Sequence, residues 1–212
     1  MFKKLSNYWD NKWKIALFLK ESDIARDIFE FLWKKRWSLL DLWSWTWRDS
    51  LFFASSWFEV ESFDFSTIAL EKLENFANEK WLKVKTILWE IKTYDFWIEK
   101  YDYIYSCNSL HYFSHNETKE IIEKLKKSLK KWWYVFVRVK STNDIDFWKW
   151  VKLEDNYYEN WEELKHFFDT DYMKSLFSDF EIVKLNEIKR KHIKWDFTEF
   201  DTYFIDLFAK KL

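Results

Sequence analysis

Arg48, Cys107, His111 and His115 carry the side chains from which a reaction could most directly be built. Arg48 opens a helix-like segment, where it either attracts an anionic acceptor or pairs with Asp49 beside it. Histidine titrates near neutral pH, so His111 is a candidate base, with packing or helix capping as its ordinary alternative. Tyr8 and Trp9 in the leading segment are further candidates for the acceptor side, as lid or as core. Cys107 and His115 offer no metal constellation with a cysteine-pair spacing, so no metal is expected.

The place for such chemistry is marked by "LDLWSWTWRDS", residues 40–50. The apolar run at 38–42 predicts a strand and "RDSLFFASS" at 48–56 a short helix, with Trp43, Trp45 and Trp47 alternating between them. A loop in that position binds ligands when it is rich in glycine. Its backbone amides then approach the ligand closely, and the next helix aims its N-terminus at the same point. Three indoles would fill that space instead.

Composition widens the conflict. The 212 residues include 17 tryptophans, no glycine and no proline, where an average domain of this length has ~15 glycines at ~7% of residues. The tryptophans fall where turns belong. Residues 67–80 place Leu70, Leu73, Phe76 and Ala77 on one helical face, Trp81 follows, and 82–88 alternates as a strand. Trp57 likewise follows the helix at 48–56, and Trp132 and Trp133 separate a helix at 116–131 from a strand at 134–139. Such junctions call for glycine, because the residue after the helix cap turns left-handed. A bulky residue there costs on the order of 1 kcal/mol or more, and a domain has only ~5–15 kcal/mol of stability. These tryptophans are therefore expected to stand for glycine, as when a gene using UGA as a glycine codon is translated with UGA as tryptophan. The other reading keeps them as aromatic lids or core, and Trp9 fits that reading well. The absence of proline has no counterpart in the codon argument.

The remaining bounds are ordinary. The length suits one domain. A net charge of −1 gives no footprint for nucleic acid. A single cysteine excludes an internal disulfide and fits a reducing compartment. No apolar run approaches the ~20 residues of a membrane span, and the polar start "MFKKLSNYWDNK" reads as neither signal nor anchor, so a cytoplasmic protein is expected.

Read with glycine, residues 40–50 become L-D-L-G-S-G-T-G-R-D-S. This resembles motif I of the class I S-adenosylmethionine-dependent methyltransferases, most closely the tellurite-resistance and thiopurine methyltransferase type, and the resemblance runs over nearly the whole chain. It implies an α/β, Rossmann-like sheet of seven mostly parallel strands flanked by helices, the last strand antiparallel. It implies S-adenosyl-L-methionine as cofactor, held by Asp41 and the loop positions Trp43, Ser44, Trp45 and Trp47. Asp64 would take the ribose hydroxyls with Phe65 beside the adenine, Glu61 being the weaker choice. Glu90, where the family more often has Asp, would bind the adenine amino group with the amide of Ile91 nearby. Ser106 and Cys107 would lie near the sulfonium. "LKKWW" matches the family's L-K-P-G-G turn with Lys131 in the proline's place.

One domain is expected over 1–212: a leading lid and helix at 1–36, a cofactor core at 37–140, an acceptor-side insertion and helix at 141–178, and a closing hairpin at 179–212. The late strands at 180–191 and 197–211 are too close in sequence for a parallel crossover, so they must pair as a hairpin. The charged insertion is expected to form part of the acceptor pocket, with residues 146–155 as a mobile covering loop. The partner is a small-molecule methyl acceptor, a soft nucleophile or an oxyanion, with no nucleic acid and no membrane, in a monomer or a dimer. Two other readings stand beside this one. A nicotinamide-dependent oxidoreductase needs its third glycine at position 48, where Arg stands. A non-enzymatic, tryptophan-rich binding module would use the indoles as they are written.

Overall fold

The computed structural model describes residues 20–32, 37–44, 47–160, 163–193 and 199–212; Tyr8, Trp9 and Trp45 lie outside them. Helix α1 (Asp23–Leu32) begins at Ser22, whose hydroxyl accepts the Ala25 amide at 3.2 Å. It buries Ile24, Ala25, Ile28 and Leu32 against the sheet. Strand β1 (Ser38–Leu42), helix α2 (Arg48–Ser55), strand β2 (Glu59–Asp64), helix α3 (Thr67–Glu79) and strand β3 (Val84–Leu88) then alternate. Ser66 caps α3 by accepting from the Ala69 amide. The buried face of α3 is Ala69, Leu70, Leu73 and Ala77, close to the stripe that periodicity predicts.

Strand β4 (Tyr101–Cys107) is buried almost throughout. A 3₁₀ turn (Leu110–Tyr112) leads to helix α4 (His115–Ser128), which opens on a capping box of Ser114 and Glu117. Strand β5 (Leu129–Lys140) starts at once, so the helix ends earlier than its charged sequence suggests. The reason lies in β4, whose Tyr101 pairs with Leu129 but whose Tyr103 pairs with Tyr134. The intervening residues bulge out, with Trp132 at φ 73°.

Strands β9 (Phe180–Ile193) and β10 (Glu199–Lys211) form the expected hairpin, and β10 also pairs antiparallel with β5. The main sheet runs β3-β2-β1-β4-β5-β10-β9, with β1 to β5 parallel. The insertion departs from expectation. It folds as a small antiparallel sheet of β6 (Val151–Glu154), β7 (Tyr157–Glu159) and β8 (Leu164–His166), followed by helix α5 (Thr170–Leu176). Phe147, Tyr158 and Phe167 form a hydrophobic cluster of their own beneath it, which gives the segment a packed side instead of leaving it a loose cover.

Candidate cofactor and acceptor site

The strand order reverses between β1 and β4, and α/β sheets bind ligands in the crevice outside the carboxyl ends of such strands. The chain leaves β1 at Trp43, whose amide donates to the Phe63 carbonyl at 2.7 Å, while the Ser44 amide reaches the same carbonyl at 3.2 Å. Trp43 has φ 69°, and Trp47, which precedes α2, has φ 45°. Both are left-handed values.

A cavity opens here, lined by Trp43, Phe63, Asp64, Phe65, Trp89, Glu90, Ile91 and Phe113. Asp64 ends β2 and is buried. Its Oδ1 accepts the Ser66 amide at 2.8 Å, and Ser66 in turn caps α3, so a helix start orients the carboxylate. The Trp89 amide donates to the Asp64 carbonyl at 3.1 Å and closes the wall after β3. Glu90 lies 3.9 Å from the Lys92 ammonium, which is nearer to Glu117 at 2.9 Å. The indole of Trp43 packs among Phe65, Tyr112 and Phe113, with ring centroids 5.0, 5.2 and 5.5 Å away.

Five of the expected cofactor residues therefore meet at one cavity: Trp43, Asp64, Phe65, Glu90 and Ile91. The other described ones, Asp41, Ser44, Trp47 and Ser106, do not line it. The Asp41 carboxylate is turned under α2, where it accepts from the Ser50 hydroxyl, and Ser50 meets Ser62 at 2.6 Å. Burial pushes the Asp41 carboxyl up to about 8, the Ser50 bond opposes the shift, and Asp49 and Asp64 add to it. Trp47 packs on Phe76 at 4.6 Å, Ser44 is nearly buried, and Ser106 bonds the Ser109 hydroxyl. Phe63, Trp89 and Phe113 line the cavity without having been foreseen. Only the adjacency of Trp89 to Glu90 hinted at one of them.

Of the residues expected on the acceptor side, Arg48 has its Nε 3.6 Å from Asp49, with no hydrogen-bond partner among the described residues. Asp49 is already engaged by the Tyr105 hydroxyl and the Ser22 amide, each at 2.7 Å. The thiol of Cys107 is pushed up to about 12 by burial, against the pull of Arg138. Cys107 is thus a thiol, not a thiolate, at neutral pH. Arg138 itself is held by Asp206 and Asp23.

His111 is buried, and its Nδ1 has no hydrogen-bond partner among the described residues. Burial, reinforced by Lys165, Lys140 and His166, holds its pKa well below the usual value. It is a neutral acceptor and a weak base. His111 and His115 are four apart, a spacing that places two ligands on one face of a continuous helix. Here the 3₁₀ turn ends at Tyr112 and α4 starts at His115, so they do not share one helical face. Sequence reasoning missed His166, which sits on a three-residue strand with no periodic signal. Its Nδ1 meets the Phe113 carbonyl at 3.1 Å, and burial lowers its pKa to about 3.

A carboxylate ending β2, aromatic faces beside it and an acid after β3 suit a nucleoside: two hydroxyls, a flat base and an amino group. The space does not suit one. Only about 10 Å³ remains beside the Trp43 indole, room for about one water, where ligand sites span roughly 300–1,000 Å³. With Trp at position 43, the residues present do not accommodate a nucleoside cofactor.

Sheet order, hairpin and carboxylate together define the fold of the class I S-adenosylmethionine-dependent methyltransferases. The chain belongs to the family described as tellurite resistance protein TehB, whose profile matches residues 1–198, and by family and fold it is a methyltransferase of that class. It is similar to the crystal structure of TehB from Haemophilus influenzae, with TM-score 0.74 and 17% identity over 98% of this chain and 67% of that one. An S-adenosylmethionine-dependent methyltransferase from Anabaena variabilis matches with TM-score 0.72 and 18% identity, over 99% of this chain and 94% of that one. The 1,6-didemethyltoxoflavin-N1-methyltransferase of Burkholderia thailandensis, solved with 1,6-didemethyltoxoflavin and S-adenosylhomocysteine, matches with TM-score 0.70 and 14% identity, over 98% and 84%. Among curated protein sequences no relative matches this chain.

Proposed function

We propose that this chain, with a small residue at position 43, binds S-adenosyl-L-methionine between β1, β2 and β3 and methylates a small-molecule acceptor. The observation that carries the reading is Asp64: a buried, oriented carboxylate at the carboxyl end of β2, on the wall of a cavity that also holds Phe65, Glu90 and Ile91. Asp41, Ser44, Trp45, Trp47 and Ser106 complete the proposed cofactor surroundings. Of these, Asp41 lies beneath α2, bonded by the Ser50 hydroxyl.

Arg48 and His111 are the proposed acceptor-side residues. The Arg48 guanidinium would draw negative charge toward the crevice, and the neutral His111 imidazole would hydrogen-bond the acceptor. Neither supplies a strong base, which suits an acceptor that is already nucleophilic at neutral pH, such as a soft oxyanion or a thiolate. The small substrate bound in the Burkholderia enzyme supports a small acceptor over a macromolecule. In this reading 37–140 forms the cofactor core, 141–178 the acceptor side and 179–212 the closing hairpin, with 1–36 leading in. No described helix is long and apolar enough to cross a membrane, and the free thiol of Cys107 suits the cytoplasm.

Calorimetry with S-adenosylhomocysteine on the chain carrying glycine at 43, 45 and 47 tests the proposal. Saturable one-site binding is expected, followed by methyl transfer from labelled cofactor to one member of a panel of thiols and chalcogen oxyanions. Absence of binding overturns it.

A further inference from the structure

The backbone separates the tryptophans into two groups. Nine described residues have a positive φ, and six of them are tryptophans: Trp43, Trp47, Trp57, Trp81, Trp132 and Trp148. These six are more than half of the described tryptophans, whereas only a few per cent of non-glycine residues adopt such angles. The other three are Glu99, Asn108 and Asn156, and asparagine tolerates this region.

Local hydrogen bonds show what the positions are for. After α2, the Trp57 amide donates to the Ala54 carbonyl at 3.1 Å and the Phe58 amide to the Phe53 carbonyl at 3.1 Å. After α3, Trp81 donates to Asn78 at 3.1 Å and Leu82 to Ala77 at 2.8 Å. Both are complete Schellman motifs, and the left-handed residue of that motif is usually glycine. The side chains contribute nothing to either turn: Trp57 is 82% and Trp81 94% exposed. Trp132 at the β5 bulge and Trp148 in the turn before β6 are exposed as well. Trp43 is the one of the six whose indole fills a ligand cavity.

We infer that positions 43, 47, 57, 81, 132 and 148 are glycine in the functional protein, their codons being UGA read as glycine by the organism that carries the gene, and that glycine at 43 opens the nucleoside cavity. The backbone makes no such demand at the remaining described tryptophans. Trp133 packs edge-on against Tyr103 at 5.3 Å and against Trp37 at 5.7 Å, and Trp150 faces Lys165 at 5.2 Å. The assignment of the six positions stands on the backbone alone. The opening of the cavity rests on the methyltransferase reading.

Two measurements keep these parts separate. Peptide mass spectrometry of the protein purified from the organism that carries the gene, with the gene's codons read alongside, is expected to show glycine and TGA at all six positions. TGG codons or tryptophan masses there overturn the inference and leave the methyltransferase reading untouched. Calorimetry with S-adenosylhomocysteine then compares the chain as written with its Trp43→Gly variant. Binding by the variant alone is expected. Equal binding by both shows that Trp43 is no obstruction and overturns the cavity part. Glycine at all six positions without binding by a six-glycine chain would instead remove the cofactor reading.

Discussion

Trp57 and Trp81 already carry the hydrogen bonds of a helix stop, so glycine in either place changes the side chain and leaves the turn intact. Relief of the left-handed strain is about 1–2 kcal/mol for a residue with a Cβ, set against the extra freedom glycine gives the unfolded chain. Trp57→Gly and Trp81→Gly are each expected to raise Tm by ~2–4 °C, at about 1 kcal/mol in a domain of this size. A fall in Tm on calorimetric scanning would show that the exposed indoles stabilise the fold. Asp64 is tested in the background with glycine at 43. Asp64→Asn keeps an oxygen for the Ser66 amide but loses the charge, and hydrogen bonds to charged groups contribute about 1.5–3 kcal/mol. Affinity for S-adenosylhomocysteine is expected to fall by roughly tenfold or more with Tm little changed. Unaltered affinity would free Asp64 of a ribose role.

At the scale of elements, the site depends on where helices begin. Helix α4 carries the wall residue Phe113 just ahead of its capping box of Ser114 and Glu117. Ser114→Ala removes that cap and is expected to lower stability by about 1 kcal/mol in urea titration, while Ser114→Asp restores most of the loss. Equal losses in the two variants would mean that packing, not the cap, fixes this helix start. The inserted sheet of β6, β7 and β8 is the second element that matters here. Strand β8 carries Lys165 and His166, which add to the effect of burial, with Lys140, in keeping His111 neutral. Three short strands with exposed charges look like a loop in sequence, because their apolar residues pack on Phe147 and Phe167 from outside the strands themselves.

At the scale of the molecule, buried titratable groups set the pH range of stability. His111 and His166 have folded pKa values below the unfolded value of about 6.5. Their contribution is present above that pH and is lost as pH falls, toward about 3 for His166. Asp41 works in the opposite sense. Its folded value of about 8 lies above the unfolded one, so its contribution is complete below pH ~4 and is lost as pH rises through 8. Unfolding free energy measured against pH is expected to lose part of its acid slope in His166→Gln and part of its decline between pH ~6 and 8 in Asp41→Asn. Variants that merely shift both curves down in parallel would show that these groups do not titrate on unfolding.

The sequence by itself determined the alternation of strands and helices, the closing hairpin, and the place of the ligand loop. These features are local: apolar spacing and a short connection each act over a few residues. It also set tryptophans at turn positions that ordinarily take glycine, because turn chemistry is local too. What only the tertiary structure decided were long-range matters. The bulge that ends α4 early follows from β4 pairing. The direction of Asp41 follows from α2 lying across β1, and the lowered pKa of His111 from its burial, reinforced by charges of β5 and of a small sheet inserted some fifty residues further along the chain. The sorting of the tryptophans was likewise tertiary. Trp132 and Trp133 are neighbours of one type, yet one is left-handed in a bulge and the other packs edge-on against Tyr103, because strand pairing sets φ and residue type does not.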